Sequence, residues 1–223
     1  MLAAGLMIGT TAAPSRPGVP LLAPTGSTTA TMHLVGRAER GGGVRWRVAS
    51  VTYRTTGSSG GWAGGNAAPP SLAVTVQNAL SWNIVYPGVP DRVQTTSVPS
   101  GDVLGIFKLT GSSIRTKPSV KNQFQCYFGF PTTATSVSPA ATMPIAFVEA
   151  GYTYGGTSPN PTPPGTAVDL TQYSSSASQY VNRLTGTGYT FYFFVGGKAN
   201  PATLQAAATY TTSISITCAL TGR

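Results

Sequence analysis

The sequence predicts an all-β fold, an antiparallel β-sandwich, on two observations. Runs of β-branched and aromatic residues recur between turns rich in Gly, Pro, Ser and Thr, and helical periodicity is weak throughout. The last run is the cleanest. In YTTSISITCAL, Tyr210, Thr212, Ile214, Ile216, Cys218 and Leu220 share one side while Thr211, Ser213, Ser215 and Thr217 share the other, the period of two that a half-buried strand demands. With 223 residues and 41% hydrophobic composition the chain can bury one substantial core, so a single sandwich is expected.

Residues 1–31 read as an extended N-terminal arm and residues 32–223 as the sandwich. The opening MLAAGLMIGTTAA has the apolar run of a secretory signal but no Lys or Arg before it, which favours a retained arm. It falls well short of the ~20 residues that a membrane span needs, and no membrane partner is expected. PSRPGVPLLAPTGSTTAT, residues 14–31, carries four prolines among small polar residues and suits an arm or linker.

Strand signals follow. In VRWRVASVTYRTT (44–56) strict alternation puts Trp46 and Val48 on one face and Val51 and Tyr53 on the other. SLAVTVQNALSWNIVY (71–86) reads as one long strand or as two joined at Gln77-Asn78, after which PGVPDR turns the chain. DVLGIFKL (102–109), NQFQCYFGF (122–130), MPIAFVEAGYTY (143–154) and YTFYFFVGG (189–197) supply further strands, with Phe191, Phe193 and Phe194 as core residues. Helical turns are expected only around Leu170–Arg183 and Pro201–Ala208. Eight or so strands with Gly/Pro-rich turns imply a jelly roll, with an immunoglobulin-like sandwich as the alternative.

Charge points to a partner. Fourteen Lys and Arg stand against five Asp and Glu, a net +9, and the natural complement of such a surface is a polyanion. Arg16, Arg37, Arg40, Arg45, Arg47 and Arg54 all fall in the first 54 residues, beside the single acid Glu39. Guanidinium groups clamp phosphate oxygens without reading sequence, so these six are the candidate nucleic-acid-binding residues. The competing reading is a solvated basic strand edge that discourages edge-to-edge pairing. Lys108, Arg115, Lys117 and Lys121 form a second, looser basic group.

Catalytic and metal constellations are not apparent. The one histidine, His33, reads as lying in the arm beside Leu34 and Val35, with no nucleophile at a telling spacing. The acids Glu39, Asp91, Asp102, Glu149 and Asp169 are scattered, and Asp91 and Asp102 read as turn caps. The glycine clusters GRAERGGG and GSSGGWAGG lack the strand, helix and lysine context of a phosphate loop. Cys126 and Cys218 cannot make a zinc site; a disulfide and two buried thiols are both compatible with their apolar surroundings. No enzyme and no cofactor is expected.

The order of features resembles the coat proteins of small icosahedral RNA viruses: a Pro/Ser/Thr-rich arm, a strand with basic residues (RWRVASVTYRTT), an aromatic penultimate strand (YTFYFFVGG) and a terminal strand (TYTTSISITCAL). The resemblance implies a jelly-roll subunit that tiles a shell with identical copies, encloses RNA against its arm, and resides in the virion. The terminal segment GYTFYFFVGGKANPATLQAAATYTTSISITC is also similar to the end of chaperone-usher fimbrial subunits. That alternative implies an immunoglobulin-like pilin at a bacterial surface.

Overall fold

A computed structural model describes residues 26–38, 43–57, 71–88, 91–93, 98, 100–112, 123–154, 170–175, 180–183, 188–203 and 205–221. Among them twelve strands are numbered in chain order: β1 (Gly26–Ala38), β2 (Val44–Gly57), β3 (Ser71–Asn78), β4 (Trp82–Val85), β5 (Asp91–Val93), β6 (Gly105–Ser112), β7 (Gln123–Gly129), β8 (Thr133–Val137), β9 (Ala140–Tyr154), β10 (Tyr180–Arg183), β11 (Gly188–Ala199) and β12 (Thr209–Thr221). One short 3-10 turn spans Leu170–Gln172. The all-β antiparallel expectation holds. The strands form one sheet in the order β3-β6-β11-β9-β8-β12-β1-β2-β4, curled into a half-barrel, with β7 beside β12, β10 beside β7 and β5 beside β11.

The curl depends on β9. Its first residues, Ala140–Pro144, pair with β8, and the rest, Ile145–Tyr154, pair with β11, so one strand carries the sheet from one half into the other. Aromatic side chains fill the space between the halves. Phe124 and Phe128 of β7 meet Phe191 and Phe193 of β11 edge to face, with ring centroids 5.2 and 5.3 Å apart. Such contacts contribute roughly 0.5–1.5 kcal/mol each beyond the burial of their area. Residues Phe191 to Gly197 are all buried, which accounts for the unbroken apolar run of β11.

The terminal strand follows its alternation. Tyr210, Ile214, Ile216 and Cys218 are buried on the inner face, while Thr211 is exposed and Ser213, Ser215 and Thr217 are half-buried on the outer. Cys218 lies directly opposite Cys126 of β7, and the two form a disulfide with Cα atoms 4.1 Å apart, resolving the cysteine alternatives.

The face assignment in β2 needs correction. Leu34 pairs with Val48 but His33 pairs with Ser50, leaving Ala49 as an extra residue in the strand. This bulge shifts the parity by one. Trp46, Val48, Val51 and Tyr53 consequently stand opposite Gly36, Leu34, Met32 and Ala30, all on one side of the hairpin rather than divided between two faces, with Trp46 buried and Tyr53 exposed. The Trp46 indole lies on Gly36: a Cβ there would fall 2.5 Å from the ring.

Three further readings change. β1 begins at Gly26, so residues 26–31 of the expected arm belong to the sheet, and His33 sits in mid-strand. Of the helical turns expected around Leu170–Arg183, the described residues hold only the 3-10 turn Leu170–Gln172, and Tyr180–Arg183 is strand β10 paired with β7. Around Pro201–Ala208 the chain makes a turn held by a side chain instead of a helix. Gln205 Oε1 accepts the Ala202 N–H at 3.2 Å, and its Nε2 donates to the Thr142 carbonyl at 3.1 Å and the Tyr210 hydroxyl at 2.6 Å. Of the open choice at residues 71–86, the structure takes two strands, β3 and β4, at opposite ends of the sheet order.

Candidate nucleic-acid interface

The outer face of the β1–β2 hairpin is built by the same alternation that buries its inner face. On β1 the odd residues from Ser27 to Arg37 point outward; on β2 they are met by Thr56, Arg54, Thr52 and Ser50, and beyond the bulge by Arg47 and Arg45. Hydroxyl pairs tie the far end of this face. Ser27 bonds Thr56 at 2.8 Å, Thr29 bonds Thr217 of β12 at 2.9 Å, and His33 Nε2 bonds Thr52 at 2.9 Å. His33 is therefore a half-buried member of a polar ladder, in keeping with a structural role.

The near end of the same face carries the arginines. Arg37 and Arg45 are directly opposite one another across the β1–β2 ladder, and Arg47, two residues along, faces Val35. All three are exposed. Neighbouring strands lie about 4.8 Å apart and alternate residues about 6.6 Å apart along a strand, so the three cations share one small patch. Like charges directly opposite cost stability, and no ion pair among the described residues involves them. An external anion would relieve that repulsion.

The other predicted residues are placed differently. Arg54 is exposed on the same face opposite Thr29, but about 20 Å further along β2, beyond the bulge, and is not part of the cluster. Arg16 and Arg40 lie outside the described residues. In the second basic group, Lys108 is half-buried in β6 between Thr75 and Tyr192, while Arg115, Lys117 and Lys121 also lie outside the described residues.

β4 extends the patch with residues that sequence reasoning passed over. Ile84 is the partner of Arg45 and is 38% exposed; Tyr86, two residues on, is 54% exposed. Both lean over Gly43, where an added Cβ would lie 2.8 Å from Ile84 Cγ2 and 3.3 Å from Tyr86 Cε1. The glycine makes room for them. Asp102 accepts the N–H of Asn83 in β4 at 2.7 Å and is buried, so it ties down a strand distant in sequence instead of capping its own turn, and its carboxylate is not presented on this surface.

Among the described residues no three His, Cys, Asp or Glu side chains gather as a metal site would require, and no helix is long and apolar enough to cross a membrane. Comparison with protein-family models, curated proteins and solved structures finds no match to this chain.

Proposed function

We propose that this chain is a structural coat subunit whose copies assemble into a viral capsid around nucleic acid, RNA being contacted through its phosphates at Arg37, Arg45 and Arg47. The curled sheet is read as a jelly-roll-type shell domain, with the arm and Arg16, Arg40 and Arg54 as flanking contacts to the same genome. The observation that carries this reading is the arginine trio: three exposed guanidiniums on one hairpin end, without a carboxylate partner among the described residues. A phosphate backbone supplies the missing counter-charge without any sequence readout. The Cys126–Cys218 disulfide suits a virion surface, and it equally favours the second reading, an exported fimbrial subunit.

Filter binding to single-stranded RNA across a salt series, with electron microscopy of the same preparation, tests the proposal. Closed shells or rings and a steep salt dependence are expected. Replacing Arg37, Arg45 and Arg47 together by alanine should lower the log–log slope by about 2, since each lost phosphate contact in a single strand accounts for roughly 0.7. An unchanged slope would return these residues to a strand-edge role. Thin fibres without nucleic acid would favour the fimbrial subunit.

A further inference from the structure

We infer that Tyr86 is a base-stacking residue and that the arginine patch therefore takes unpaired, single-stranded nucleic acid in preference to duplex. The inference rests on the nucleic-acid reading and specifies its ligand. Phosphate clamping alone needs only cations, yet this patch places an exposed aromatic ring beside them. Tyr86 and Ile84 are both uncovered on the outer face, and Ile84 is the cross-strand neighbour of Arg45, itself opposite Arg37. The row Arg37, Arg45, Ile84 thus runs across three strands from charged to apolar, with Tyr86 next to its apolar end.

The local sequence favours such a platform. Gly43 leaves room for Ile84 and Tyr86; a side chain at that position would meet Ile84 at 2.8 Å and Tyr86 at 3.3 Å and displace the pair. The ring approaches Gly43 along Cδ1 and Cε1 and is 54% exposed, so much of it is accessible to a base. Bases stack on aromatic rings irrespective of identity, whereas a duplex hides its base faces inside the helix. Charge complementarity selects a polyanion for this surface, and the exposed ring selects one whose bases are free.

Fluorescence anisotropy with three probes tests this: labelled oligouridylate, an RNA duplex of equal length, and labelled heparin, a polyanion without bases. Tyr86→Ala should weaken oligouridylate binding by about 5- to 150-fold, leave heparin and duplex binding within error, and keep the salt slope of the wild type. Tyr86→Phe should retain oligouridylate affinity, and matched thermal melts would show that both variants fold. Equal loss for heparin, or no loss for oligouridylate while the triple arginine variant still abolishes binding, overturns the stacking role and leaves the phosphate reading intact. Wild-type protein that binds none of the three probes overturns both.

Discussion

The disulfide between β7 and β12 offers a quantitative test of how this sheet is held. Cys126 and Cys218 are separated by 92 positions in sequence and both are fully buried. Cutting the bond frees the unfolded chain from a closed loop of that size. The chain-entropy relation for a loop of this length gives about 4.6 kcal/mol at room temperature. The folded state loses little in exchange, because the two residues are already paired across the ladder. For a chain of this size such a loss lowers Tm by roughly 10–18 °C. The assay is urea unfolding of native protein, of protein kept reduced, and of the Cys126→Ala/Cys218→Ala variant, followed by tryptophan fluorescence. The reduced protein isolates the constraint from the small cavities that alanine leaves. A reduced form less than about 1 kcal/mol weaker than the oxidised one would refute the loop argument.

Other features have their own tests. Gly36→Ala drives a methyl into the buried Trp46 ring and should cost about 1–3 kcal/mol in a thermal or urea melt; a neutral result would mean that the indole moves aside freely. Deleting Ala49 removes the bulge while leaving Trp46, Val48, Val51 and Tyr53 on the same side of the hairpin, so circular dichroism should show a folded sheet with Tm within a few degrees of wild type. A chain that no longer folds would contradict this account of the parity change. Gln205→Ala removes three hydrogen bonds around the β11–β12 connection and should cost about 1–3 kcal/mol, read from the urea midpoint; an unshifted midpoint would show that water replaces them.

Much of the fold was legible because burial writes itself as alternation. β12 alternates cleanly from Ser213 to Cys218, before Ala219 of the outer set is buried as well, while β11 announces burial on both faces by its run of aromatics. β2 was harder to read. One additional residue inverts the apparent faces beyond Val48, and nothing in the local composition marks Ala49 as that residue; only pairing with β1 reveals it. β8 was missed because TATSV is short and weakly apolar, and becomes a strand through its pairing with β9.

The interface was legible in part. Spacing of two along β2 placed Arg45 and Arg47 on one side, but the approach of Arg37 requires the hairpin register, and the separation of Arg54 follows from strand length. Tyr86 gave no signal of its own. An aromatic residue at the end of an apolar strand before Pro-Gly reads as core, and its exposure follows from the pairing of β4 with β2, which sets Ile84 and then Tyr86 on the outer face with Arg45.

The long strand β9 has a mechanical consequence. Because the same backbone hydrogen-bonds to β8 at one end and to β11 at the other, neither half of the curled sheet can peel away without tearing the seam they share. The β9 amide protons that are bonded to β8 and β11 should accordingly exchange slowly, and the two halves should come apart in a single event instead of one after the other.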